Sequence, residues 1–131
     1  MAIKHTLKGL KASARAHGEG NDCAVKAIAV TCRVSYSRAR RELARAGRMP
    51  GEGAESEQIR DAVRACGHKM VNTQRALRGT ELRKLKLPTG ARFIVDTFNH
   101  VAAWDGEALV DVLADSQRAV VNIYRVEKVT K

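Results

Sequence analysis

The chain has 131 residues, of which 44% are hydrophobic, and 24 Lys and Arg against 14 Asp and Glu leave a net charge of +10. This length and composition fit one compact globular domain and exclude a chain that is disordered as a whole. No apolar run approaches the roughly 18 residues of a membrane span, and the first residues lack the apolar stretch of a secretory signal, so we expect a soluble cytoplasmic protein.

The basic N-terminal segment, residues 1–18, contains four cationic side chains and no acid. Ile3, Leu7 and Leu10 have helix-compatible spacing, so the segment is expected to be either a short amphipathic helix or a frayed basic arm. Residues 19–131 are expected to form a single domain.

A cysteine stands at the start of an apolar helix predicted from about Asp22 to Cys32. Asn21 and Asp22 are both good N-cap residues, and the sequence after them is rich in alanine. Cys23 should therefore lie in the first turn, near the positive end of the helix dipole, where the thiolate is favoured. This position predicts a nucleophilic thiol, whereas the commoner role of such a cysteine is that of a small core residue.

The three cysteines make an odd number without paired CxxC spacing. This pattern argues against a disulfide framework and against a structural zinc site, and it fits a reducing compartment. We therefore expect Cys32 and Cys66 to be small buried residues, with no metal and no cofactor in the protein.

Two further helices are predicted before the segment in which strands are expected. One runs from a Ser35 cap to about Ala46, and the other begins at a Ser56 cap and ends at Gly67. The outer face of the first is rich in arginine, which favours either a solvated charged face or contact with nucleic acid. The candidate phosphate-binding residues are Arg38, Arg41, Arg45, Arg83 and Lys84.

From about Arg92 onward the apolar residues recur with a period of two, which is typical of strands. The expected strands cover residues 69–72, 93–98, 101–104, 107–112 and 119–126. Asp105-Gly106 is expected to be a two-residue hairpin turn, which would pair Trp104 with Glu107. Helices followed by an antiparallel sheet predict an α+β fold, with the helix that carries Cys23 packed on the C-terminal sheet.

The register of this hairpin predicts a site. His100 would lie opposite Asp111, with Cβ atoms about 4.5 to 5.5 Å apart, so the carboxylate could bind one imidazole nitrogen and leave the other facing Cys23. The three side chains would then act as nucleophile, general base and orienting group. Asp115, just beyond the strand, is the alternative orienting residue.

The order of these motifs resembles that of papain-like cysteine peptidases, in particular the peptidase domains of bacteriocin-exporting transporters and small phage-borne relatives. Those families have Asp-Cys at the head of the central helix, here Asp22-Cys23. They continue through helical segments to a histidine followed by apolar strand residues, here 100–103, and to an acidic or amide residue on the next strand, here Asp111. The likeness covers about residues 20–126. It implies Cys23 as nucleophile, His100 as general base and then acid, and Asp111 as orienting residue.

The family also suggests where an oxyanion would bind. A glutamine six residues before its cysteine helps to form the oxyanion hole, and this chain has His17 at that place. Asn21 is the other side-chain candidate, with the backbone N–H of Cys23 as a second donor.

These patterns favour a thiol hydrolase that cleaves a peptide, isopeptide or related amide bond. The alternative is a basic module that binds nucleic acid or protein, including a papain-like inhibitor or scaffold without turnover. The expected partners are a peptide or protein substrate, an acidic one being suited to the net charge, and nucleic acid through the basic surface.

Overall fold

A computed structural model describes residues 3–129. This part of the chain contains four α-helices, two 3₁₀ turns and four strands. The helices are α1 (Leu7–Ala16), α2 (Cys23–Cys32), α3 (Tyr36–Arg45) and α4 (Ser56–Ala65). The strands are β1 (His68–Thr73), β2 (Arg92–Thr97), β3 (His100–Trp104) and β4 (Val120–Lys128), and the 3₁₀ turns are Arg75–Leu77 and Leu82–Lys84.

The four strands form one antiparallel sheet in the order β1-β4-β2-β3. The helices cover one face, where Ile94, Ala103 and Val126 join the helical core. The other face carries a second apolar cluster around Phe93, which includes Leu82 of the second 3₁₀ turn. The molecule therefore has the predicted α+β character, with the sheet between two apolar layers.

Helix α2 is the buried centre of the helical layer. Eight of its ten residues, beginning with Ala24, are buried, and the helix packs against β3 and α3. It ends at Arg33, which has a left-handed backbone (φ 55°). Both ends of α2 lie within one residue of their predicted positions, and Cys23 is the first residue of the helix, as expected.

The basic N-terminal segment contains the helix rather than a frayed arm. In α1, Leu10 is fully buried and Ala14 nearly so, while the lysines face outward. Thr6 caps the helix by accepting a hydrogen bond from the Gly9 N–H at 3.1 Å. Burial of one leucine against the helical core holds this segment in place.

The helix caps are partly as predicted. Ser35 caps α3 by accepting from the Arg38 N–H at 3.0 Å. The N-cap of α4, however, is Glu55 and not Ser56. The Gln58 side chain accepts from the Glu55 N–H at 2.8 Å, which is half of a capping box and moves the helix start by one residue.

The predicted hairpin at Asp105-Gly106 is wrong. The tight two-residue turn is Phe98-Asn99 instead, since Thr97 pairs with His100 across it. Asn99 adopts φ 59°, a left-handed conformation that asparagine tolerates better than most residues.

The segment after β3 forms a loop instead of the predicted strand over residues 107–112. The Asp105 carboxylate accepts from the N–H groups of Glu107 and Ala108 at 2.9 and 3.0 Å, which makes an Asx-type turn. The turn is thereby widened to four residues, and Trp104 bridges to Leu109 rather than to Glu107.

Within residues 3–129, none of the helices combines the length and the apolar character that crossing a bilayer requires.

Candidate active site

Cys23 lies at the first residue of α2 and is partly exposed. No side chain caps α2, so the backbone N–H groups of its first turn are not bound by a cap, and the positive end of the helix dipole lies at Cys23. Burial opposes ionisation of this thiol, but hydrogen bonds from His100 and from the backbone N–H of Val101 outweigh that effect and lower the pKa of Cys23. The thiolate is therefore easier to form here than in an ordinary cysteine.

His100 is held by Asp111. The distance from His100 Nε2 to Asp111 Oδ2 is 2.7 Å, and only 12% and 8% of the two side chains are exposed. The hydrogen bond to Asp111, followed by the one to Cys23, raises the pKa of His100 to about 9 against the opposing effect of burial. Because Asp111 engages Nε2, Nδ1 is the ring nitrogen left for Cys23.

Asp111 reaches His100 by a route that differs from the predicted one. The chain pairs briefly with β3, where the Val110 N–H donates to the Ala103 carbonyl at 2.8 Å, and then turns away at Asp111. Asp111 Oδ2 also accepts from the Leu113 N–H at 2.9 Å, which fixes the carboxylate toward the histidine. The pairing of this segment with β3 is shifted by two residues from the predicted pairing. Because side chains alternate between the two faces of a strand, a shift of two residues keeps each side chain on its expected face.

Cys23, His100 and Asp111 all line a cavity of about 770 Å³. One wall is the start of α2 with residues 53–56, and the other is the β2–β3 hairpin with Asp111 and Val112. The cavity is large enough for several residues of an extended peptide.

The two candidate oxyanion residues lie in different places. Asn21 lines the cavity, with its side-chain amide donating to the Gly51 carbonyl at 3.0 Å, so one of its two N–H groups is engaged. His17 is not among the cavity residues. Its Nδ1 bonds the Ser13 carbonyl at 2.9 Å and its Nε2 bonds the Ser37 hydroxyl at 3.1 Å, so both ring nitrogens are engaged away from the cavity.

Asp115 is also away from the cavity. It is exposed within the turn that follows Asp111, and the carboxylate that binds His100 is that of Asp111.

A polar group beneath Cys23 was not anticipated from the sequence. Asp22 accepts a hydrogen bond from the buried Tyr36 hydroxyl at 2.7 Å and lies 3.3 Å from Lys26 Nζ. Asp22 is the N-cap residue of α2, as predicted, but its carboxylate is turned to these partners and accepts no hydrogen bond from the first turn of the helix. The four-residue spacing to Lys26 was the available signal, since such pairs meet on a helix face.

A buried ion pair stabilises the approach to Cys23, and it too was missed. Arg48 forms two hydrogen bonds to the Glu19 carboxylate, at 3.0 and 3.1 Å, with 2% and 1% of the side chains exposed. Arg40 and the Gly51 N–H donate to the same carboxylate at 2.7 and 3.0 Å. Hydrogen bonding, above all from Arg48, lowers the pKa of Glu19 to about 2 although burial opposes it.

This network joins two segments that border the cavity. Besides binding Glu19, Arg48 donates to the carbonyls of Gly20 and Glu52, at 3.3 and 2.8 Å. The residues just before Cys23 are thus tied to the loop that precedes α4. Nothing in the sequence indicated a partner 29 residues away, because loop residues show no periodicity.

The five candidate phosphate-binding residues fall into two groups on opposite faces of the sheet. One group belongs to α3 in the helical layer, and the other to the second 3₁₀ turn, which packs on the far side. Arg45 is already paired with Glu42 at 3.0 Å, and Arg83 with Glu81 at 3.0 Å. The first group is Arg38, Arg41 and Arg45, and the second is Arg83 and Lys84. They form no continuous basic surface.

The chain matches no protein-family model, no curated protein and no solved structure.

Proposed function

We propose that this protein is a papain-like thiol hydrolase that cleaves a peptide, isopeptide or related amide bond. The observation that carries the proposal is the His100–Asp111 hydrogen bond of 2.7 Å beside a thiol whose pKa is lowered by the same histidine. A nucleophile, a general base and a group that orients the base are the parts that covalent acyl transfer needs.

In the resting site, the lowered pKa of Cys23 and the raised pKa of His100 favour a thiolate beside an imidazolium. The Cys23 sulfur attacks the carbonyl carbon of the scissile amide, and the negative charge develops on the carbonyl oxygen. The backbone N–H of Cys23 and the free N–H of Asn21 are the donors available to that oxygen.

His100 then acts as general acid. Its Nδ1 proton passes to the leaving amine nitrogen as the C–N bond breaks, which leaves a thioester on Cys23 and a neutral imidazole. The same nitrogen next removes a proton from water, the hydroxide attacks the thioester carbonyl, and the C–S bond breaks. Asp111 holds the ring in the orientation that both steps require.

The nucleophile can be tested with iodoacetamide, by following alkylation of each cysteine at pH 7 by mass spectrometry. We expect Cys23 to react at least tenfold faster than the buried Cys32 and Cys66, because the thiolate is the reactive form. His100→Ala should slow the reaction at Cys23 alone. Equal rates at all three cysteines would contradict the proposal.

Turnover needs a separate test, since an inhibitor or scaffold could keep a reactive thiol. With p-nitrophenyl acetate we expect release of p-nitrophenol beyond one equivalent, and none above background with Cys23→Ala. A single equivalent followed by a stable acetyl thioester on Cys23 would instead identify a protein without turnover.

A further inference from the structure

A carboxylate in the cavity has no assigned role in this chemistry. Asp96 lies on β2, where it is paired with Val101 of β3 on one side and Asn122 of β4 on the other. It lines both the main cavity and a smaller one of about 60 Å³ beside it. The smaller cavity has apolar walls that include Met70 and Ile94.

Two of the other three carboxylates of the cavity already have partners, and the third is exposed to solvent. Asp22 is bound by Lys26 and Tyr36, and Asp111 by His100. Glu55 lies at the exposed N-cap of α4.

Asp96 differs from them. Within residues 3–129, no cationic group lies within 4.0 Å of its carboxylate, and its side-chain partner is the neutral amide of Asn122. Burial is the main effect on this carboxyl group and raises its pKa. A half-buried carboxylate without a counter-ion is stabilised by any cation that enters the cavity.

Among residues 3–129, Arg60 is the one cationic residue that lines the smaller cavity. Its guanidinium lies over the Tyr124 ring, 5.9 Å from the centroid. Arg60 therefore packs on the Tyr124 side of this cavity and forms no ion pair with Asp96.

We propose that Asp96 is a specificity residue that selects substrates with a lysine or arginine side chain next to the bond attacked by Cys23. This inference rests on the proposed thiol hydrolase. The apolar walls would contact the methylene stem of the side chain, and the carboxylate would bind its cationic end.

The net charge of the chain predicts the reverse preference. A charge of +10 attracts acidic peptides at long range, whereas Asp96 acts only on a group inside the cavity. A preference for cationic side chains would therefore have to come from groups inside the cavity, because the net positive charge of the molecule repels cationic substrates.

The proposal can be tested with three peptidyl vinyl sulfones, Ala-Ala-Xaa, in which Xaa is lysine, norleucine or glutamate. Norleucine has a similar straight stem without the charge. The rate of labelling of Cys23 at pH 7 is measured by intact mass for the full chain, for Asp96→Asn and for Asp61→Asn. Asp61 is an exposed residue of α4 outside both cavities, so its variant controls for the change in net charge.

We expect the unmodified chain to react roughly tenfold faster with the lysine probe than with the norleucine probe, the usual effect of one hydrogen-bonded charge. Asp96→Asn should bring that ratio close to one, and Asp61→Asn should leave it unchanged. Equal rates with lysine and norleucine in the unmodified chain, or faster labelling by glutamate, would overturn the proposal. So would an equal effect of the two variants.

The reaction with iodoacetamide separates this proposal from the function on which it rests. A chain that reacts rapidly with iodoacetamide at Cys23, yet does not distinguish lysine from norleucine, keeps the reactive thiol that the proposed function requires but lacks the proposed specificity. A chain without selective reaction at Cys23 contradicts the proposed function itself.

Discussion

The proton on His100 links the site to the stability of the whole chain. Its pKa is about 9 in the folded protein, against 6.5 for an ordinary histidine, chiefly because Asp111 accepts a hydrogen bond from the ring. A raised pKa means that the folded state binds this proton more tightly than the unfolded state does. The resulting stability is fully present below about pH 6.5 and is lost as the pH rises through about 9.

We therefore expect Asp111→Asn to lower the free energy of unfolding by on the order of 2 kcal/mol at pH 6, and by much less at pH 10. The measurement is urea denaturation of both proteins at pH 6, 8 and 10. Asp115→Asn, at the exposed carboxylate four residues on, is the matched control and should have little effect at any of these values. A loss that is the same at pH 6 and pH 10 would show that Asp111 does not act through the histidine proton.

The element that places Cys23 is the start of α2 together with the two segments that Glu19 and Arg48 join. These segments have no regular secondary structure, so their positions depend on side-chain hydrogen bonds. Removal of one partner from a buried pair leaves the other charge without compensation, which is far more costly than loss of an exposed pair.

Replacement Arg48→Met should therefore lower the free energy of unfolding by about 3 kcal/mol, since the buried Glu19 would retain only Arg40 as a cationic partner. Lys4→Met removes an ion pair with Glu107 in which the two side chains are 70% and 75% exposed, and it should cost at most about 1 kcal/mol. Urea titrations at pH 7 compare the two. Similar losses in both variants would contradict the role assigned to the buried pair.

The candidate phosphate-binding residues are divided between two surfaces of the molecule. The cationic residues of α3 and of the second 3₁₀ turn lie on opposite sides of the sheet, and several are already paired with glutamates. A net charge of +10 still attracts polyanions, but a divided surface neutralises few phosphates at once.

We expect only weak association with a 30-base-pair DNA duplex, visible in a gel shift at 50 mM salt and lost by 200 mM. The charge reversal Arg41→Glu on α3 and the charge reversal Lys84→Glu on the 3₁₀ turn should weaken it to similar extents. Tight binding that persists at 200 mM salt, abolished by only one of these changes, would instead identify a dedicated nucleic-acid site.

The sequence alone was sufficient for most of the helices and strands and for bringing His100 and Asp111 together. The alanine-rich apolar run after Asp22 predicted α2 and the place of Cys23, and the alternation from Arg92 predicted the strands that carry His100. It also brought His100 and Asp111 together, although through a hairpin register that is wrong. Periodicity and capping are local properties, so they can be recognised in the order of residues along the chain.

Only the tertiary structure decided how the site is built around those residues. Side-chain hydrogen bonds at Asp105 widened the turn by two residues, and His17, expected at the oxyanion, bonds Ser13 and Ser37 instead. The Glu19–Arg48 pair and the exposure of Asp96 to the cavity depend on contacts between segments far apart in the chain. Such contacts are selected by packing and by the need to satisfy buried polar groups, and neither of these has a local signature.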